Sequence, residues 1–226
     1  MTRLIAEDLL LLLVEDESGK LTNTTYLDIG IGGGLLVELA LGGHVEVVKG
    51  QGMWARAKVH LTGAPQPDDP VLVEALGVIA EKERTAEDLV SRLGKKRREP
   101  LLARLERDGI LRREQGKVLG LFPTTRWPAV DSGHEAEVRR QLADALVHGI
   151  RPVDRVAALV ALLSSLDLAH KVVDRGGLPA RDVKKRAKEI ADGDWAAKAV
   201  RDAVNAAQAA VMAATMVATT AATTSS

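Results

Sequence analysis

Apolar residues recur at helical spacing along most of this chain of 226 residues. Leu4, Leu9, Leu10 and Leu13 mark a first helix, which is expected to end before the polar cluster at residues 16–19. Aromatic residues contribute only 2% of the chain, so the core must consist of leucine, valine, isoleucine and alanine. That composition favours helices. The sequence therefore predicts a mainly α fold, a single helical globular domain from which one β-hairpin projects.

The remaining elements follow from the same periodicity and from turn signals. A glycine-rich stretch at residues 30–34 leads into a short helix, and a helix at residues 153–173 has so few polar residues that we expect it at the centre of the core. Two short strands are predicted at residues 44–48 and 55–61. The domain is expected to span residues 1–217, and residues 218–226 are expected to form a disordered tail. The other predicted helices cover residues 35–41, 71–83, 85–93, 99–108, 135–148, 181–191 and 195 to about 217.

The charge of the chain is balanced overall but concentrated locally. Basic and acidic side chains number 31 each, yet residues 84–126 hold 12 basic and 6 acidic ones. Thr85 and Asp88 resemble a capping box, and Gly109 is a helix stop. Two helices are therefore predicted on either side of the run Gly94-Lys95-Lys96-Arg97-Arg98, which makes this segment a basic helix-turn-helix.

A hairpin is predicted directly after the two helices. Residues 110–113 and 117–122 are rich in strand-forming side chains, and they flank Glu114-Gln115-Gly116, which is interpreted as the turn.

Patterns of catalysis, cofactor binding and metal binding are missing from the sequence. The glycines at residues 30–34 lack the last glycine of the dinucleotide-binding loop G-x-G-x-x-G. The five histidines include no i, i+4 pair, and the chain contains no cysteine, so no zinc site is expected. No stretch has the pattern of a signal peptide or of a membrane span. We therefore expect a cytoplasmic protein that is not an enzyme and holds neither a cofactor nor a metal.

Four segments carry one further pattern: the leucine-rich first helix before Asp16-Glu17-Ser18-Gly19-Lys20, the block Gly33-Gly34-Leu35-Leu36-Val37-Glu38-Leu39-Ala40-Leu41, the segment Leu105-Glu106-Arg107-Asp108-Gly109-Ile110-Leu111, and Thr124-Thr125-Arg126-Trp127-Pro128. Together they resemble the Golgi phosphoprotein 3 family over roughly residues 3 to 215. The resemblance implies a mostly helical domain with a projecting hairpin. Eukaryotic members are cytosolic peripheral membrane proteins that recognise phosphatidylinositol 4-phosphate and act as adaptors for Golgi glycosyltransferases. The alanine-rich, cysteine-free composition would suit a bacterial member.

The resemblance also implies a site for a lipid phosphate in the basic segment. Two basic family positions, three residues apart, fall on Lys95 and Arg98. The family's aromatic position falls on Asn23 and its arginine of the glycine segment falls on Gly32, so these two do not match. Loss of both contacts favours weak selection among anionic lipids over strict recognition of the 4-phosphate.

The basic run also favours anion binding on physical grounds. Cations three residues apart at a helix start share a face, and the free N–H groups of a helix N-terminus attract phosphate. Arg98 can grip two phosphate oxygens and Lys95 can act as a point charge, while Lys96 and Arg97 steer the anion toward them. At about 1 kcal/mol each, four such residues give weak, salt-sensitive docking to an anionic membrane lipid such as a phosphoinositide. The alternative is a basic loop that is merely solvated.

The hairpin is expected to contact the membrane or a second copy of the chain. The resemblance implies this role for the residues around its turn, and the alternative is that the hairpin only covers the core. The residues concerned are Gln115, Gly116, Lys117, Val118 and Leu119.

A winged helix is the competing interpretation of the same segment. It too consists of a helix, a turn, a basic second helix and a hairpin, and the basic run would then contact bases. The second helix, however, also carries Glu99, Glu106 and Asp108, which would face the phosphates of DNA. Nucleic acid is therefore the less favoured partner, and no client protein is identified by the sequence.

Overall fold

Two apolar helices near the start of the chain lie at the centre of the molecule. The computed structural model describes residues 3–15, 18–22, 26–48, 56–118, 122–193, 196 and 198–223. Helix α1 runs Ile5–Leu12 and α2 runs Leu27–Leu41. Every residue of α1 is buried. Six of its eight residues are apolar and are stable in water only when other elements surround them, and its two carboxylates, Glu7 and Asp8, pair with Arg104 and Arg155.

The other helices surround this pair. Helix α7, Asp154–Ser165, is buried from Val156 to Leu163, which confirms its predicted central place. The remaining helices are α3 (Pro70–Ala80), α4 (Ala86–Gly94), α5 (Arg98–Arg107), α6 (Gly133–Ala143), α8 (Ala180–Ala191) and α9 (Lys198–Thr223). A π-helical turn, Asp144–His148, directly follows α6. Helices α4 and α9 lie against α2, and α8 and α9 lie against α7. The described residues thus form a mainly α single domain, as predicted.

The predicted beginning of the first basic helix and the predicted end of the second are confirmed. The Thr85 hydroxyl accepts a hydrogen bond from the Asp88 N–H at 3.3 Å, which caps the beginning of α4. Gly109 follows α5 in the left-handed region with φ +73°, the conformation that ends a helix with least strain when the residue is glycine.

The glycine-rich stretch is part of a helix, which corrects the sequence interpretation. Residues 30–34 lie inside α2 and are buried. A Cβ on Gly32 would lie 1.9 Å from the Val90 carbonyl oxygen, and a Cβ on Gly94 would lie 1.7 Å from the Asp28 carbonyl oxygen. The glycines therefore allow the backbones of α2 and α4 to touch, and this packing outweighs the low helix propensity of glycine.

The four described strands form two antiparallel pairs. Strand β1 (Val45–Val48) pairs with β2 (Lys58–Leu61), and β3 (Glu114–Val118) pairs with β4 (Phe122–Arg126). The predicted turn at residues 114–116 is wrong, because these residues belong to β3 and pair with residues 124–126. Threonines at positions 124 and 125 suit a strand, so the hairpin closes farther along the chain, between positions 118 and 122.

Two predicted boundaries near the C-terminal half are also wrong. Helix α7 ends at Ser165 instead of continuing to residue 173, since Asp167 takes the left-handed conformation with φ +55°. Helix α9 extends to Thr223, so residues 218–223 of the expected tail are helical.

Partly buried ion pairs fix the beginning of α1 against the rest of the domain. A Glu38 carboxylate oxygen accepts a hydrogen bond from the Ile5 N–H at 2.7 Å, and its other oxygen contacts Arg155 at 2.6 Å. Arg155 also reaches Asp8 at 3.1 Å, and Asp8 contacts the His134 ring at 2.7 Å. Glu38, the single charged residue of the block at residues 37–41, therefore joins α2 to α1 and α7.

Candidate functional site

The basic run forms the junction between α4 and α5 (residues 94–98, the junction below). Lys95 is the C-cap of α4 with ψ +123°, and α5 begins at Arg98. Lys96 lies between them in the left-handed region with φ +59°, a conformation that costs a non-glycine residue about 1–2 kcal/mol. Lys95 and Arg98 thus belong to different elements, which corrects the expectation that they share one helical face.

The two lysines of the junction carry free charges. Both side chains are exposed. Within the described part of the chain, the ammonium groups of Lys95 and Lys96 make neither an ion pair nor a hydrogen bond. They are therefore available to an external anion.

The two arginines of the junction are held by carboxylates. An Nη atom of Arg98 lies 3.0 Å from a carboxylate oxygen of Asp28, in the first turn of α2, and Arg97 pairs with Glu74 of α3. Both guanidinium groups are half-buried. Asp28 and Glu74 were not anticipated from the sequence, because they lie 70 and 23 residues away from their arginines and no local pattern links them.

Arg98 keeps one donor that no described residue uses. Its Nε atom is buried without a hydrogen-bond partner. Next to it, the N–H groups at the start of α5 have no carbonyl within the helix to bond, and no side chain caps this end. This Nε has almost no accessible surface, so a phosphate oxygen can reach it only when the guanidinium moves away from Asp28; that movement would also remove the cost of an unpaired buried donor.

The two unmatched family positions differ in what the structure shows. Asn23 lies outside the described residues. Gly32 lies at the contact between α2 and α4, where any side chain would collide with the Val90 carbonyl. An arginine at this position would require the two helices to separate, so the missing cation is linked to the close helix packing.

The hairpin residues are distributed over β3 and the segment after it. Gln115 pairs with Thr125, Gly116 with Thr124, Lys117 with Pro123 and Val118 with Phe122. Gln115 and Gly116 are exposed. Leu119 lies outside the described residues, and the expected contact of this hairpin with a membrane or a second copy stays a prediction.

Metal binding and membrane spanning find no support in the described parts of the chain. No group of three or more histidine, aspartate or glutamate side chains is arranged there to hold a metal ion. Likewise, no described helix is both long enough and apolar enough to cross a bilayer.

Comparison with known proteins decides the family. The model of the family described as Golgi phosphoprotein 3 (GPP34) matches residues 5–207. The chain belongs to the Golgi phosphoprotein 3 family. A search of curated proteins finds no match. The matched range contains α1, the crossing of α2 with α4, the junction and the hairpin, so the elements that build the candidate site all lie within the Golgi phosphoprotein 3 match.

Proposed function

We propose that this chain is a peripheral membrane protein that binds phosphoinositide or other anionic lipid head groups at the junction. The observation that carries the proposal is the pair of exposed lysines without partners beside a half-buried arginine with an unused donor. Membership of the Golgi phosphoprotein 3 family supports it, since lipid binding is the role that the sequence resemblance implies.

The expected affinity is lower than four free cations would give. Each basic residue close to an anionic membrane contributes about 1 kcal/mol, so Lys95 and Lys96 together contribute about 2 kcal/mol. Arg97 and Arg98 contribute less until a lipid phosphate replaces their carboxylate partners, because Asp28 and Glu74 already neutralise them. Binding is therefore expected to be salt-sensitive.

Duplex DNA fits the structure less well. A winged helix reads bases with its second helix, but Arg104 of α5 points inward, with its Nε 3.0 Å from Glu7 and an Nη 2.7 Å from Asp69. Leu101 and Leu105 are buried as well. These faces of α5 belong to the domain core. Beyond the beginning of the helix, the exposed residues are Ala103, Glu106 and Arg107, whose two charges cancel.

Flotation with vesicles tests the proposal. Neutral phosphatidylcholine vesicles are compared with vesicles that contain phosphatidylinositol 4-phosphate and with charge-matched phosphatidylserine vesicles. Lys95→Glu and Lys96→Glu are each expected to reduce flotation with both anionic sets. The control is Lys82→Glu, which reverses an exposed charge just before α4, at the end of that helix remote from the junction.

A second variant tests the competition with Asp28. Asp28→Asn frees Arg98 from its counter-charge, so it is expected to increase flotation with phosphoinositide vesicles.

Equal flotation of the lysine variants, the Lys82 control and the wild type would refute the site. Binding of duplex DNA without any flotation would refute the membrane role and favour the winged-helix interpretation.

We infer a cytoplasmic location and an adaptor role from the same resemblance. An adaptor needs one surface for the membrane and another for its client, and the hairpin is a candidate for contact with a second copy. Neither the client nor an enzymatic activity is part of the proposal.

A further inference from the structure

A groove with a volume of about 420 Å³ lies between the π-helical turn and α8, and it shares no residue with the junction. Two arginines, Arg151 and Arg186, line it together with the apolar side chains of Ile150 and Ile190. Single π-helical turns occur frequently at functional sites. The groove therefore combines positive charge, apolar walls and an uncommon backbone.

Arg186 is the central residue of this groove. Its guanidinium lies against Gly149, where an added Cβ would be 2.6 Å from an Nη atom and 3.2 Å from Cζ. Gly149 has φ +80° and follows the π-helical turn, which is closed by a hydrogen bond of 2.9 Å from the Ile150 N–H to the Asp144 carbonyl. The glycine thus supplies both the sharp turn and the space for the guanidinium.

Arg186 has no acceptor within the described residues, although carboxylates are close to it along α8. Asp182 and Glu189 occupy positions i−4 and i+3, from which ion pairs with Arg186 are sterically accessible. Instead, Asp182 faces Arg181 at 3.4 Å and Glu189 faces Lys185 at 3.8 Å. The half-buried guanidinium lines the groove, and its donors, which no described acceptor engages, are open to an acceptor that arrives from outside.

No carboxylate belongs to the described lining of the groove. An arginine fork matches the oxygens of a phosphate group and binds it through two parallel hydrogen bonds. We propose that this groove is a second anion-binding site, which takes the phosphate group of a phosphate monoester through Arg186, with Arg151 contributing charge. Ile150 and Ile190 contact the organic part of the ligand.

The site is tested by calorimetric titration of the full chain with inorganic phosphate and with glycerol 3-phosphate at fixed ionic strength, and by flotation with phosphatidic acid vesicles. Arg186→Gln is expected to weaken binding about tenfold or more. Arg186→Lys keeps the charge but loses the fork, so an intermediate loss is expected. Arg181→Gln removes an exposed arginine from the same helix and is expected to change the affinity by less than about twofold.

The results identify the source of the phosphate and separate this proposal from the junction. If Arg186→Gln weakens the binding of the soluble phosphates, the ligand is a small molecule. If the variant reduces only the flotation with phosphatidic acid vesicles, the ligand is a lipid. The double variant Lys95→Glu and Lys96→Glu is expected to leave glycerol 3-phosphate binding unchanged, even if it abolishes flotation with phosphoinositide. Absence of binding in both assays, or an equal loss in Arg181→Gln, would overturn the proposal. Thermal melts of each variant show whether the fold is intact.

Discussion

The contact between α2 and α4 predicts a large and specific loss of stability when Gly94 is replaced by alanine. The added Cβ would lie 1.7 Å from the Asp28 carbonyl oxygen, about 1.6 Å closer than an ordinary carbon–oxygen contact of about 3.3 Å. Both partners are backbone atoms of packed helices, so no side-chain rotation relieves the collision. Overpacking of this kind typically costs 1–3 kcal/mol, and we expect about 3 kcal/mol, the upper end of that range.

The matched control is the same substitution at an open site. Gly77 lies on the exposed face of α3, and a Cβ there would meet nothing within 4 Å. Gly77→Ala is therefore expected to stabilise the fold by about 0.5–1 kcal/mol through helix propensity alone. For a chain of this size, about 2–4 °C per kcal/mol gives a Tm about 6–12 °C lower for Gly94→Ala and slightly higher for Gly77→Ala.

Urea unfolding followed by circular dichroism, together with a calorimetric Tm, measures both variants. A Gly94→Ala variant as stable as the wild type would refute the close contact of α2 and α4. A shift equal in sign and size at both positions would show that helix propensity, and not packing, determines the outcome.

Two further predictions concern acid stability and the hairpin. Burial alone would raise the pKa of Asp69, but hydrogen bonds from Arg104 and from its own helix lower it, so its stabilising contribution is present above about pH 3.8 and is lost as the pH falls through the folded-state pKa. Asp69→Asn, which keeps an N-cap side chain, is expected to reduce stability at pH 7 and to flatten the pH dependence of the free energy of unfolding in acid; an unchanged slope would contradict this. Deletion of residues 117–123 joins Gly116 to Thr124, its partner in the ladder, in a two-residue turn with glycine at its first position. We expect this deletion to lower the sedimentation mass, the flotation with vesicles, or both. If both stay unchanged, the hairpin tip contacts neither a second copy of the chain nor the membrane.

Local sequence signals predicted those helix ends that are determined by residues next to them in the chain. The Thr85 cap and the Gly109 stop were predictable because each acts within one helical turn. The end of α7 was missed because apolar residues continue past Ser165, and Leu168 and Val172 remain buried after the helix has ended. Burial and helicity coincide in most of this chain, so periodicity alone did not distinguish them.

Long-range packing explains what the sequence did not reveal about the site. The basic run was predictable as a charged segment between two helices. Its division into two free lysines and two paired arginines depends on Asp28 and Glu74, which α2 and α3 bring to the junction from elsewhere in the chain. The role of the α2 glycines was equally hidden, since a glycine-rich stretch has the same sequence in a loop and at a helix crossing.

A single fluorescent label tests directly whether the junction is the surface that meets the membrane. The chain contains no cysteine, so Ser91→Cys, four residues before Lys95 on an exposed position of α4, accepts one environment-sensitive fluorophore beside the junction. Ala80→Cys places the same label at the exposed end of α3. Upon addition of phosphoinositide vesicles, we predict that emission from position 91 shifts to the blue while emission from position 80 stays constant. A shift at position 80 alone, or no shift at position 91 under conditions in which the protein floats with the vesicles, would contradict the proposed site.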